Sequence, residues 1–202
     1  SNNLNSIKLF DKVIYAGSLT KYFRKNEKDF NGSSYLDCDQ QVYSKLQLQI
    51  NKISSKPKIG ISWKSVVNIY GKLKSLQIDQ FKPIFTEERS FINLQYGDTK
   101  DEINAFQKKG FNIFSFEEID LFNDFESNIA LLKNLDVFVT VSNSTAHIAG
   151  AIGVPTIVIC PKKASTFYYW DYENNLTPWY DSVRVIKFKN SITNTMIEVD
   201  KI

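Results

Sequence analysis

The sequence predicts an α/β protein with a doubly wound parallel sheet, and two observations carry that prediction. From Lys58 onward, short apolar runs alternate with segments of helical period, which is the pattern of parallel strands joined by crossover helices. Residues 136–141 are apolar on both alternating sets of positions, as expected of a central strand that is covered on both faces. Helices are therefore expected on both sides of the sheet.

The predicted elements follow one another in regular alternation. Six short apolar runs are expected to be strands: residues 58–63, 91–95, 112–115, 136–141, 155–159 and 183–188. Five segments are expected to be helices: residues 78–86, 100–109, 124–134, 144–152 and 165–171. In the third of these helices, an apolar stripe is expected to cover a face of the sheet: Phe125, Ile129, Leu132 and Leu135.

The first 55 residues differ in pattern from the rest of the chain. They hold one short apolar run at 12–16, a polar stretch to Ser34 and one helical candidate at 39–53, which is too little for an independent domain. Residues 54–57, Ser-Ser-Lys-Pro, have the composition of a linker. We therefore divide the chain into an incomplete first segment, residues 1–55, and a sheet domain, residues 56–202.

Length and composition exclude several classes of protein. At 202 residues the chain can hold one α/β domain and part of another. Its 25 basic and 22 acidic residues leave a net charge of +3, which is too weak and too scattered to indicate nucleic acid binding. No apolar run reaches the length of a membrane span, and no signal peptide opens the chain. Cys38 and Cys160 form no metal-ligand spacing, and the reducing cytoplasm is the expected location.

The most informative segment follows the predicted central strand. In open α/β sheets, ligands bind beyond the carboxyl ends of the strands, where loops turn into helices. Here Ser142, Asn143, Ser144 and Thr145 supply capping side chains for a helix whose first backbone N–H groups have no partner within the helix. Such a helix end attracts anions, and His147, the single histidine, would lean back towards it. The segment predicts a phosphate site, with a plain helix cap and a packed or solvent-facing histidine as the alternative.

Two motifs give this segment a family context. The first strand reads Lys-Ile-Gly-Ile-Ser-Trp-Lys from residue 58 to residue 64, and the helix carries Ala146-His147 and ends in Gly-Val-Pro at 153–155. Together they resemble glycosyltransferase family 9 and its relatives in tetratricopeptide-repeat proteins, a group that includes the heptosyltransferases. Asn143 stands where that family more often has Asp, so this chain has no carboxylate at that position.

The resemblance extends over most of residues 56–188. Four further segments follow the family's order and spacing: Lys-Leu-Lys-Ser-Leu at 72–76, Phe-Ile-Asn-Leu-Gln-Tyr-Gly at 91–97, Asp-Phe at 124–125 and Pro-Trp-Tyr at 178–180. Within residues 1–55, Gly-Ser-Leu at 17–19 and Tyr-Leu at 35–36 resemble the end of the family's preceding domain. The resemblance implies the Rossmann-like C-terminal half of a GT-B fold, preceded by a remnant of the acceptor domain.

The resemblance also implies an activity and a set of binding residues. The activity is inverting, metal-independent transfer of a sugar from a nucleoside-diphosphate donor to an acceptor, either glycan, lipid or protein, without a further cofactor. The implied donor-binding residues are Lys64, Lys74, Gln95, Ser142, Asn143, Ser144, Thr145 and His147. The lysines would contact phosphate; solvated lysines and a strand-end role for Gln95 are the alternatives. The catalytic base would come from the missing domain or repeats, so no catalytic residue is assigned.

Other interpretations remain open. Asn128 and Asn143 depart from the family pattern and favour a catalytically degenerate binding module. A sugar-nucleotide epimerase of GT-B shape would need paired carboxylates, and no convincing pair is present. Asp-Cys-Asp at 37–39 resembles a metal-binding Asp-x-Asp motif, but we expect it to cap the following helix. The aromatic residues at 167–170 and 179–180 are expected mostly to pack.

Overall fold

A computed structural model of the chain describes residues 11–66, 71–160, 167–170, 173–188 and 191–200. Five strands form one parallel sheet: β1 (Lys58–Ser62), β2 (Ser90–Asn93), β3 (Val137–Val141), β4 (Thr156–Cys160) and β5 (Val183–Lys187). Their order across the sheet is β2-β1-β3-β4-β5, and every neighbouring pair is parallel. The predicted α/β class with a Rossmann-like parallel sheet is confirmed.

Seven α-helices lie in the described residues: α1 (Thr20–Phe23), α2 (Gln40–Ile53), α3 (Gly71–Lys74), α4 (Lys100–Gln107), α5 (Phe125–Lys133), α6 (Ser144–Ala151) and α7 (Ile192–Asp200). Short 3₁₀ turns lie between them: Ala16–Ser18, Glu27–Asp29, Ile78–Ile84, Tyr168–Trp170 and Glu173–Asn175. None of the described helices has the length and apolar content that a membrane crossing requires.

The two faces of the sheet pack against different helices, as a doubly wound sheet requires. On one face, the sheet side chains Ile61 and Val139 pack with Phe81 of the turn Ile78–Ile84 and Phe106 of α4. On the other face, residues of α2, α5 and α6 pack around Phe138 of β3. Along β3, Phe138 and Val139 are both buried, because the central strand is covered on both sides.

Four sequence predictions need correction. The predicted strand at 112–115 is reduced to a single parallel bridge between Phe114 and Ile92. The segment lies at the edge of the sheet, and Phe114 is 38% exposed. The predicted helix at 78–86 is a 3₁₀ segment, Ile78–Ile84, and Pro83 within it cannot donate a helical hydrogen bond. Phe125 lies at the first residue of α5 and is 60% exposed, so it does not join the buried stripe. Of the predicted helix at 165–171, residues 165, 166 and 171 lie outside the described residues, and Tyr168–Trp170 forms one 3₁₀ turn.

The chain divides into two compact units, residues 1–31 and residues 32–202. Helix α2 belongs to the second unit, where its Leu46 and Ile50 are buried in the same cluster as Leu131 and Leu132 of α5. Asp39 caps α2, because its carboxylate accepts the backbone N–H groups of Gln41 and Val42, as predicted. The assignment of residues 1–55 to a remnant of an acceptor domain stays a prediction.

Candidate functional site

The site predicted from the sequence lies at the edge where the carboxyl ends of the strands meet. Strand β1 has β2 on one side and β3 on the other. The chain therefore runs outward from β1 to β2 and then crosses back to β3 on the opposite side of β1. Open sheets form a crevice at such a point. Four residues form one network here: Ser62 at the end of β1, Lys64 just after β1, Gln95 after β2 and Asn143 after β3.

Gln95 connects the ends of β1 and β2. Its Oε1 accepts hydrogen bonds from Ser62 Oγ at 2.9 Å, Trp63 N at 2.8 Å and Lys64 N at 2.6 Å. Its Nε2 donates to the carbonyl of Tyr96 at 2.9 Å, and the residue is buried. Gln95 therefore has the strand-end role that the sequence left open, while its contact with a nucleotide stays a prediction.

Asn143 caps α6 and ties it to β1. Its Oδ1 accepts the backbone N–H of Ala146 at 3.1 Å, as the predicted N-cap should. Its Nδ2 donates to Ser62 Oγ at 2.9 Å and to the carbonyl of Lys64 at 3.3 Å. A carboxylate has no proton to donate at neutral pH, so this position suits Asn rather than Asp.

The N-terminus of α6 is partly open. Ser142 and Thr145 are buried, and Ser142 Oγ accepts the indole N–H of Trp170 at 3.0 Å. Ser144, the first residue of the helix, is exposed. Among the described residues, no acceptor is found for the backbone N–H groups of Ser144 and Thr145. These are the donors that a bound anion would use.

His147 is enclosed by aromatic rings. It stacks on Trp170 with 4.7 Å between ring centroids and meets the edge of Tyr169 at the same distance. Its Nδ1 lies 3.2 Å from the hydroxyl of Tyr180. Burial, and next the charge of Lys74, lower the pKa of His147 to about 4. The imidazole is therefore neutral near pH 7 and keeps one N–H to donate.

Lys74, at the end of α3, is a buried cation. The residue is 7% exposed, and its Nζ lies 4.7 Å from the ring centroid of Phe167. Across the described ranges, Nζ has neither a hydrogen-bond acceptor nor a carboxylate partner. Burial lowers the pKa of its ammonium group below the usual value. Lys72, two residues earlier, is exposed, as a solvated lysine should be, so the structure separates the two lysines of this segment.

Lys64 has a partner that sequence reasoning missed. Its Nζ forms an ion pair with Glu102 of α4, and the other carboxylate oxygen of Glu102 accepts the indole N–H of Trp63 at 2.9 Å. The spacing Thr99-x-x-Glu102 is that of a capping box, which would direct this carboxylate to the helix backbone instead. No sequence signal therefore pointed from Glu102 to Lys64.

Two cavities adjoin the network. One, of about 780 Å³, is lined by residues that include Lys64, Ser65 and Ser75, and the other, of about 600 Å³, by residues that include Phe116 and Phe122. They share residues 95–99. Either volume is in the range of small-molecule sites. Within the described residues, no group of three or more His, Cys, Asp or Glu is arranged to hold a metal ion.

Comparisons with known proteins place this fold among glycosyltransferases. The chain resembles E. coli ADP-heptose LPS heptosyltransferase II with a TM-score of 0.54 and 16% identity, covering 88% of this chain and 54% of that one. It resembles a glycosyl transferase family 9 protein of Veillonella parvula with a TM-score of 0.57 and 12% identity, covering 79% and 44% of the two chains. At these identities the likeness shows the fold: a Rossmann-like domain of the GT-B kind.

One relative is similar in sequence as well. Over 185 residues the chain is 34% identical to Protein FlbA of Caulobacter vibrioides, which covers 87% of this chain and 29% of FlbA. The chain thus spans less than a third of the length of that relative. No family model matches the sequence.

Proposed function

We propose that the chain binds the diphosphate of a nucleoside-diphosphate sugar at the edge formed by β1, β3 and α6, and that it is the donor-binding half of a glycosyltransferase. The observation that carries the proposal is the buried Lys74. A buried ammonium is costly unless an anion accompanies it, and the described residues supply none. The free N–H groups at Ser144 and Thr145 and the N–H of His147 are donors for the same anion.

The class of ligand follows from the fold and the motifs together. The structural neighbours named above are glycosyltransferases, and their shared fold supports this class of reaction. The two cavities that share residues 95–99 have room for a nucleoside, and one of them is lined by Lys64. The sugar, the acceptor and the inverting, metal-independent course of the reaction are proposed from the family resemblance.

The proposed contribution to catalysis is electrostatic. As the bond between sugar and diphosphate breaks, negative charge accumulates on the leaving diphosphate. Lys74, the amides of α6 and the neutral His147 would stabilise that charge more strongly in the transition state than in the ground state. A base that removes the acceptor's proton would have to come from a segment outside this chain.

Lys74→Met tests the proposal. We expect the affinity for inorganic pyrophosphate and for ADP-, UDP- and GDP-sugars to fall by more than about tenfold, because a desolvated charge–phosphate contact is lost. The midpoint of thermal unfolding should stay the same or rise, since Met fills similar space without a buried charge. Isothermal titration and thermal unfolding measure the two effects.

Two further variants complete this test. Lys72→Met removes an exposed lysine from the same helix and should change the affinity for inorganic pyrophosphate, which does not reach into the nucleoside cavity that Lys72 lines, by less than about twofold. Ser144→Pro removes one N–H at the first helical position, where proline fits, and should weaken binding. Equal affinities for Lys74→Met and the unmodified protein would refute the anion site.

A second candidate function is a non-catalytic module that binds the same donor. Asn143 favours it, because this residue stands where the resembling family more often has a carboxylate. Its side-chain amide instead donates to the Lys64 carbonyl. Sugar transfer by a longer protein that includes this chain would support the enzyme. Donor binding without transfer or hydrolysis in that longer protein would support the module.

A further inference from the structure

Lys64 is held at three points. Its backbone N–H donates to Gln95, its carbonyl accepts from Asn143, and its Nζ pairs with Glu102. The backbone contacts are partly buried, and the side chains of Lys64 and Glu102 are each 37% exposed. The backbone of Lys64 is therefore fixed, and its side chain can exchange partners.

Glu102 is itself anchored. Its second carboxylate oxygen accepts the indole N–H of Trp63, a residue with no exposed surface. Glu102 also lies in the first turn of α4, where a negative charge is favoured by the helix dipole. These two interactions should keep the carboxylate in place when the Lys64 side chain moves to another partner.

We propose that Glu102 is a positioning residue: it holds Lys64 in place before the donor binds, and it competes with the donor's diphosphate for this lysine. The inference rests on the proposed function and on the phosphate contact that the family resemblance implies for Lys64. An incoming diphosphate takes the ammonium group from Glu102, and on departure of the product diphosphate the carboxylate takes it back. Competition of this kind lowers affinity for the diphosphate and favours its release.

The physical basis is the exchange of one ion pair for another. A half-exposed pair such as Lys64–Glu102 is weak, so a doubly charged phosphate group can replace it at small cost. The negative charge that remains on Glu102 opposes the diphosphate. Removing that charge should therefore tighten binding, which is the reverse of what a merely structural residue would do.

Glu102→Gln tests this inference. Gln keeps the length of the side chain and an oxygen that can accept from Trp63. At low salt we expect inorganic pyrophosphate to bind the variant roughly three- to tenfold more tightly than the unmodified protein, by isothermal titration. Higher salt should reduce the difference, because screening weakens the competing pair. Pyrophosphate is the probe because it has no ribose or base that Glu102 might contact.

The matched control is Asp37→Asn. Asp37 pairs with Lys133, the last residue of α5, which leads into the opposite end of β3. This control removes one negative charge away from the site and should leave pyrophosphate affinity within about twofold. Should the Gln variant fail to fold, Glu102→Met gives the same readout.

A double-mutant cycle separates the possible results. In a Lys64→Met background, Glu102→Gln should tighten pyrophosphate binding less, because the shared lysine is gone. The logarithm of the affinity ratio should fall to less than half of its value in the unmodified background. An undiminished gain, or no gain in the unmodified background, would overturn the positioning role while leaving the anion site intact. Absence of pyrophosphate binding in the unmodified protein would overturn the proposed function and this inference together.

Discussion

At the scale of single residues, Gly150 governs the position of an aromatic side chain. A Cβ built on Gly150 would lie 2.4 Å from Cγ of Tyr180, far inside normal contact distance. The hydroxyl of Tyr180 in turn lies 3.2 Å from Nδ1 of His147. Glycine at position 150 therefore sets the hydrogen-bond partner of the histidine, and through it the orientation of the ring that faces the proposed anion site.

Gly150→Ala tests this link. The new methyl group must displace Tyr180, and we expect a loss of about 1–3 kcal/mol in the free energy of unfolding in urea, together with weaker pyrophosphate binding. In a Tyr180→Ala background the same change should be neutral or stabilising, because Ala is a better helix former than Gly. Equal costs in both backgrounds would show that the clash with Tyr180 is not the cause.

His147 makes stability depend on pH. Its pKa is lowered from 6.5 to about 4 in the folded protein, so the unfolded chain binds a proton between these values and the folded protein does not. The resulting stabilisation is fully present above about pH 6.5 and is lost as the pH falls towards 4. Between pH 7 and pH 4, the free energy of unfolding of the unmodified protein should fall by on the order of 3 kcal/mol more than that of the His147→Gln variant. Urea unfolding at both pH values measures this; parallel losses would contradict it.

At the scale of secondary-structure elements, α2 offers a matched pair of leucines. Leu46 is 4% exposed and packs in the cluster under α5, whereas Leu48 on the same helix is 65% exposed. Leu46→Ala should lower the free energy of unfolding by about 2–4 kcal/mol through lost burial and a residual cavity. Leu48→Ala should change it by less than about 0.5 kcal/mol. Similar values for both variants would mean that α2 does not pack as described.

The elements that could be predicted from the sequence are those with a strong local signal. The central strand Val137–Val141 and the helices α4, α5 and α6 appear within two residues of the expected bounds, since apolar periodicity and capping residues are local properties. The prediction of a strand at 112–115 was wrong, because an apolar run does not show how many backbone hydrogen bonds the segment makes with a neighbouring strand. Pro83 was the local sign that residues 78–86 would not form a regular α-helix.

The site could be predicted only in part, for a similar reason. The capping role of Asn143 follows from its place before a helix, and the structure confirms it. The bonds from Gln95 to residues 62–64 and from Glu102 to Lys64 join segments more than 30 positions apart in sequence. Such contacts depend on strand order, which no local pattern specifies. The burial of Lys74 beside the exposed Lys72 likewise follows from tertiary packing.

At the scale of the whole molecule, the division into units predicts which truncations are tolerated. The second unit begins at Gly32 and includes α2. A chain that starts at residue 32 should keep the cooperative unfolding of the α/β unit, whereas a chain that starts at residue 56 loses Leu46 and Ile50 and should be strongly destabilised or insoluble. Thermal unfolding followed by circular dichroism compares the two. Equal stability of both truncated chains would place α2 outside the folding unit.

The amide of Gln95 has a consequence for ligand binding. Because one oxygen accepts hydrogen bonds from three consecutive residues, the turn that leaves β1 is ordered by folding itself. At this turn an arriving anion then has to redirect only the Lys64 side chain, which Glu102 already holds, and the entropy lost on association is small compared with that of a site built on an unordered loop. Encounter with the ligand should consequently be limited by diffusion and electrostatic attraction rather than by a slow rearrangement of the main chain.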